Sequence, residues 1–181
     1  MADDEALIRA AQQGDAGAFE QILERHYDTV YRFAYKWCGN RADAEDVTQL
    51  ACMKLARAIA SYRFESGFTS WLYRVVVNCA KDWSRQEKRY AQDAAGQDPP
   101  EPDPGNAGDS VEHHVYVRQL LHRLETLPEG IKEVLLLVHG EGLTHSEAAR
   151  VLQVKDSTVS WRLHEFRKHY RLSIDQGGFC E

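Results

Sequence analysis

The 181 residues suffice for one ordinary domain or two small ones, and a composition of 43% hydrophobic and 10% aromatic residues argues against disorder. No apolar run approaches the roughly 20 residues that span a bilayer, and the acidic start Met1-Ala2-Asp3-Asp4-Glu5 is unlike a secretory signal, so a soluble cytoplasmic protein is expected. The net charge of −6 disfavours nucleic acid only as a sum: residues 1–90 hold 13 acidic and 13 basic residues, 91–112 hold six acidic and no basic ones, and 113–181 hold nine of each.

In chain order, residues 3–13 suggest a short helix ending near Gly14. A run from Ala16 to about Cys38 carries Phe19, Ile22, Leu23, His26, Val30, Phe33 and Trp37 at three- and four-residue spacing and stops at Gly39-Asn40. A third helix is expected from about Ala42 to Ser61, with Ala44, Val47, Ala51, Leu55, Ala58 and Ile59 inward. Its opening Asp43, Glu45 and Asp46 suit the helix dipole. The outward Asp46, Gln49, Leu50 and Met53 mix acid, amide and apolar groups, as a protein contact does.

After a turn at Ser66-Gly67, a fourth helix runs from Phe68 to about Tyr90. Asn78, Lys81, Arg85 and Lys88 fall within roughly 40° of Arg74 on its wheel, with Arg89 just outside. Phe68, Leu72, Val75, Val76, Cys79 and Trp83 take the other side. The result is a packing face and a basic stripe bordered by Trp71, able to follow phosphates while the aromatic and the amide meet unstacked bases. A merely solvated face is the plainer alternative.

Residues 91–112 hold Pro99, Pro100, Pro102 and Pro104 and a single large apolar residue, Val111, the composition of an extended acidic linker. Beyond it, helices are expected near 113–126, 128–139, 145–152 and 157–172. Thr144-His145-Ser146-Glu147 is a capping box, followed by Ala148, Leu152 and a turn at Gln153-Val154-Lys155. Asp156 or Ser157 would cap the next helix, with Val159, Leu163, Phe166 and Tyr170 inward. That is a helix-turn-helix pattern, whose outward Lys155, Ser157, Thr158, Ser160, Trp161, Arg162, Arg167 and Lys168 could reach a major groove. A helical hairpin that binds no DNA is the alternative. Two all-α domains, 1–90 and 113–181, are therefore expected about the tether 91–112.

Catalysis is not expected. There is no glycine-rich phosphate loop, no metal-ligand cluster and no placeable Ser/His/Asp set, and His113-His114 lacks a partner at ligand spacing. Cys38, Cys52, Cys79 and Cys180 form no C-x-x-C pair and read as packing residues, so neither metal nor cofactor is expected.

Three stretches in order carry a resemblance: Asp43-Ala44-Glu45-Asp46-Val47-Thr48-Gln49; Phe68-Thr69-Ser70-Trp71-Leu72-Tyr73-Arg74-Val75-Val76-Val77-Asn78; and Leu127-Pro128-Glu129-Gly130-Ile131-Lys132-Glu133-Val134-Leu135-Leu136-Leu137 before the helix-turn-helix. Together they resemble the extracytoplasmic-function sigma factors. The resemblance implies a transcription initiation subunit whose partners are core RNA polymerase (the coiled coil of its largest subunit, and the flap), promoter DNA and an anti-sigma factor, with no small-molecule substrate. It places Asp46, Gln49, Leu50 and Met53 on the polymerase coiled coil. It gives Tyr62, Ser66 and Gly67 to a loop holding a base flipped from the minus-ten element, and Trp71, Arg74, Asn78, Lys81, Arg85 and Lys88 to the helix that melts and reads that element. Lys155, Ser157, Thr158, Ser160, Trp161, Arg162, Arg167 and Lys168 fall to the minus-thirty-five element, and the acidic linker to the RNA exit path. Gln153 stands where the family usually has glycine, and Ser160, Trp161 and Glu165 where relatives are often basic or small. The rivals are a helix-turn-helix regulator working without polymerase and a small nuclease.

Overall fold

A computed structural model of the chain describes residues 2–93 and 127–175, with side chains at 4–90 and 127–170. The expected linker 91–112, the helix near 113–126 and Cys180 lie largely or wholly outside the described residues. Two compact units, Met1–Arg118 and Gln119–Glu181, divide the chain. Both are helical, and no strand occurs among the described residues.

In the first unit, local signals set the helix ends. Helix α1 (Ala2–Gln12) gives way to Gly14, whose φ of 95° ends it. Asp15 then accepts from the Ala18 amide and starts α2 (Ala16–Cys38), which Gly39 closes at φ 77° with its N–H on the Tyr35 carbonyl. Asn40 accepts from the Asp43 amide at 2.9 Å to open α3 (Arg41–Ala58), and a 3-10 turn, Ile59–Ser61, follows. Helix α4 spans Phe68–Asp93.

The apolar stripes of α2, α3 and α4 meet in one core containing Phe33, Ala34, Ala44, Val47, Ala51, Leu72, Val76 and Ala80. Small alanines let the helices approach closely, and each fully buried large side chain contributes about 1.5–3 kcal/mol. Polar groups at the margin are paired: the Trp37 indole donates to Ser84 at 2.9 Å. Lys54 of α3 meets Asp82 of α4 at 2.7 Å, and that carboxylate holds the ammonium pKa above its usual range. Cys79 is buried, which pushes its thiol up to about 11, so it is protonated at neutral pH and behaves as a small apolar side chain.

The second unit departs from the expected helix over 128–139. A turn at 128–130 leads into a short α5 (Ile131–Leu135), which widens into a π-helical stretch, Leu136–Gly140. Glu141 N–H reaches back five residues to Leu136 O, Leu143 N–H reaches Leu137 O, and Gly142 at φ 72° completes the reversal. Helix α6 (His145–Leu152) and helix α7 (Asp156–Asp175) follow, around a core of Ile131, Val134, Leu137, Ala148, Val151, Val159 and Leu163.

Candidate functional site

Helix α3 turns Ala44, Val47, Ala51 and Leu55 inward, and its period leaves Asp46, Gln49, Leu50 and Met53 together on the exposed face. Met53 is 59% exposed, and the aliphatic Leu50 is also exposed. A carboxylate, an amide and two uncovered apolar side chains share one surface.

On α4 the amide and the distal charges of the expected stripe, Asn78, Arg85 and Lys88, are exposed, while Arg74 and Lys81 are half-buried. Trp71 is not at the border where the wheel put it. It is only 5% exposed, its ring 5.5 Å from Phe68 and 5.3 Å from Tyr62. Of the residues expected inward, Val75 and Trp83 are half-buried.

The loop before α4 is aromatic. Tyr62 is 7% exposed, and its hydroxyl donates to the Ser66 carbonyl at 2.5 Å, closing the loop on itself. Burial raises the phenol pKa above its usual value. The ring of Tyr62 packs on Phe64 at 4.7 Å and on Phe68 at 5.5 Å. Gly67, exposed, ends the loop with its carbonyl accepting from the Ser70 and Trp71 amides.

In the second unit the capping box is formed. Thr144 Oγ1 accepts from the Glu147 amide at 3.3 Å, and the Glu147 carboxylate accepts from the Thr144 amide at 2.9 Å and its hydroxyl at 2.7 Å. Gln153 takes φ 55° in the turn, the left-handed conformation that costs about 1–2 kcal/mol for a residue with a Cβ. Asp156 does not act as the expected cap. It is the first residue of α7, and its carboxylate instead accepts from the Ser146 hydroxyl of α6.

Two expected DNA readers are engaged within the unit. Ser160 Oγ lies 3.1 Å from His145 Nδ1 at the start of α6. The Arg162 guanidinium lies over Gly130, where an added Cβ would sit 2.2 Å from Cζ, and Arg162 is half-buried. Lys155, Ser157, Arg167 and Lys168 are exposed, Thr158 is half-buried and Trp161 is 54% exposed. Tyr170, expected inward, is exposed and stacked on Phe166 at 5.8 Å. Sequence reasoning assigned nothing to Phe64 or to α1, although Gln12 and Arg9 contact this loop. Among the described residues, no cluster of His, Cys, Asp and Glu could hold a metal ion, and no helix is long and apolar enough to cross a membrane.

Residues 22–90 match the family model for Sigma-70 region 2, and residues 117–169 match that for Sigma-70, region 4. The chain is 32% identical over 165 residues to the ECF RNA polymerase sigma factor SigE of Mycolicibacterium smegmatis, covering 87% of this chain but only 63% of that longer relative. It is 30% identical over 174 residues to the ECF RNA polymerase sigma-E factor of Haemophilus influenzae, covering 91% of this chain and 92% of that protein. A co-crystal structure of the sigma factor RpoE with the anti-sigma factor NepR from Bartonella quintana shares the fold, with a TM-score of 0.64 at 21% identity over 87% of this chain and 96% of that one.

Proposed function

The chain belongs to the extracytoplasmic-function sigma factors of the sigma-70 family, and from that premise we propose how its residues divide the work of directing RNA polymerase to a promoter. The α3 face of Asp46, Gln49, Leu50 and Met53 docks on the coiled coil of the largest polymerase subunit. The Tyr62–Gly67 loop captures a flipped base of the minus-ten element, and Arg74, Asn78, Lys81, Arg85 and Lys88 follow the single strand. Trp71 supports that site from beneath. Helix α7 reads the minus-thirty-five duplex through Lys155, Ser157, Thr158, Trp161, Arg167 and Lys168, with Ser160 and Arg162 shaping the helix-turn-helix. The functional division is 1–90, 91–112 and 113–181, the acidic middle segment threading the RNA exit path.

The observation that carries this reading is the common exposure of Asp46, Gln49, Leu50 and Met53, which leaves uncovered apolar surface beside charge on a helix whose other face is fully packed. In this reading the polymerase performs the chemistry and this chain has no turnover of its own. It acts in the cytoplasm beside the polymerase. An anti-sigma factor holds it inactive, as the NepR complex of the structural neighbour suggests.

Run-off transcription with core polymerase, followed by mapping of the start sites, tests the whole. Asp46→Arg with Gln49→Ala should abolish core association in a pull-down while helicity is kept. Wild-type retention of core by that folded variant would refute the docking face. Duplex binding without any start-site selection would favour a polymerase-independent regulator.

A further inference from the structure

Helix α1 lies outside the stretch matched to region 2, yet it holds the loop that precedes α4. The Gln12 side-chain amide donates to two carbonyls, Ile59 at 3.0 Å and Tyr62 at 2.7 Å. One turn back on the same face, the Arg9 guanidinium carbon lies 4.3 Å from the centroid of the Phe64 ring. Glu5, a further turn back, takes the edge of that guanidinium: its Oε1 accepts from Nε at 3.1 Å and from Nη2 at 2.7 Å. Edge contacts leave the flat face unused. One side of that plane lies over Phe64, and the Arg9 side chain is 58% exposed.

The loop itself points to a ligand. Phe64 has φ 59°, a region that bulky side chains seldom enter and that clusters at functional sites. The ring so placed is half-buried, whereas its neighbours Tyr62, Phe68 and Trp71 are buried. Gly67 has no left-handed φ, and a Cβ added there would meet nothing within 4 Å. Neither conformation nor internal packing calls for glycine. Close approach by something outside the chain would.

We propose that Phe64 and Arg9 form a stacking platform for an unstacked nucleobase of single-stranded DNA, layered as ring, guanidinium and base at the opening beside Gly67. Bases stack on aromatic rings and on arginine planes alike, and the guanidinium charge adds attraction to the strand. The proposal rests on the minus-ten reading given above. It extends that site to α1.

The probe is a fluorescein-labelled single-stranded oligonucleotide carrying the non-template minus-ten region of a promoter mapped by run-off transcription. It is titrated against holoenzyme, intact and with an abasic site at each position in turn. Arg9→Ala and Phe64→Ala should each weaken binding by about tenfold, within the range for loss of one stacked base. At one position, the abasic substitution that costs the wild type a similar factor should cost Arg9→Ala nothing further. Arg9→Lys, which keeps the charge but not the plane, should behave as Arg9→Ala at that position. Core association and upstream-duplex binding should not change. If every abasic position costs Arg9→Ala as much as it costs the wild type, the platform is refuted. Should Asn78→Ala weaken single-strand binding while Arg9→Ala does not, only this proposal falls. A wild type without preference for single strand over duplex would remove the minus-ten reading and this proposal together.

Discussion

Two turns in this chain, one in each unit, hold a residue other than glycine in left-handed backbone. Gln153 ends α6: its N–H and that of Val154 both return to the Ala149 carbonyl. That geometry terminates helices generally, and its needs are met by backbone alone. Phe64 terminates no helix, and its strain places a ring between Tyr62 and Arg9. In the second unit the unusual φ serves the path of the chain; in the first it serves a side chain. Strain of the first kind should be relieved by removing the side chain. Strain of the second kind should not, because the side chain is what it is for.

The largest effect should come from the support under the first turn. Trp71 is buried against Tyr62 and Phe68, so Trp71→Ala should cost about 3–5 kcal/mol, seen as a lowered unfolding midpoint of the first unit with the second unchanged. Single-strand binding should fall only as far as the folded fraction does. A loss well beyond that would make Trp71 a direct reader of DNA, as its place on the helical wheel suggested.

Glycine is demanded in the second unit at Gly130, not at residue 153. With φ 89° and the Arg162 guanidinium 2.2 Å from the position of a Cβ, Gly130→Ala combines strain of roughly 1–2 kcal/mol with displacement of that arginine. Gln153→Gly should do the reverse, stabilising the full chain by on the order of 1 kcal/mol in denaturant unfolding. Phe64→Gly relieves the same strain but uncovers Tyr62 and releases Arg9, so its midpoint should not rise. Equal gains from both glycines would end the distinction between the two turns.

Much of this was legible from local signals. The bounds of α2 and α6, the Thr144–Glu147 box and the outward set on α3 follow from spacing and caps, which act within a turn or two of the chain. What was missed depends on contacts between distant residues. A helical wheel assigns Trp71 an angle at the edge of the stripe, but cannot see that Tyr62 in the preceding loop and Phe68 cover it. It marks Arg162 and Ser160 as outward without knowing that Gly130, lacking a side chain, offers the guanidinium a bed, or that His145 stands opposite Ser160. The leucine run at 135–137 reads as continuing helix, while the bonds from Glu141 and Leu143 widen it into a π turn. Nothing in the spacing of α1 ties it to a loop some fifty positions later.

The smallest expected effect separates the two ends of α6. At its start, Glu147 accepts from the Thr144 hydroxyl and amide, and these bonds, the hydroxyl's first, hold its carboxyl pKa below the usual carboxylate range. A folded-state value below the unfolded one means that the cap's contribution is fully present above the unfolded value. It is lost as pH falls through the folded one. The end at Gln153 involves only backbone groups, so nothing there titrates. Glu147→Gln keeps an acceptor for the Thr144 amide but removes the charge. The difference in midpoint between wild type and Glu147→Gln should therefore be largest at neutral pH and shrink towards zero under acid conditions, whereas the gain from Gln153→Gly should persist. Glu147 is solvent-exposed on its outer side, so the effect is a shift of small size, resolved by thermal unfolding of the full chain in parallel across pH. An acid-independent difference for Glu147→Gln would mean that the cap acts by shape alone, and both ends of α6 would then be backbone devices of one kind.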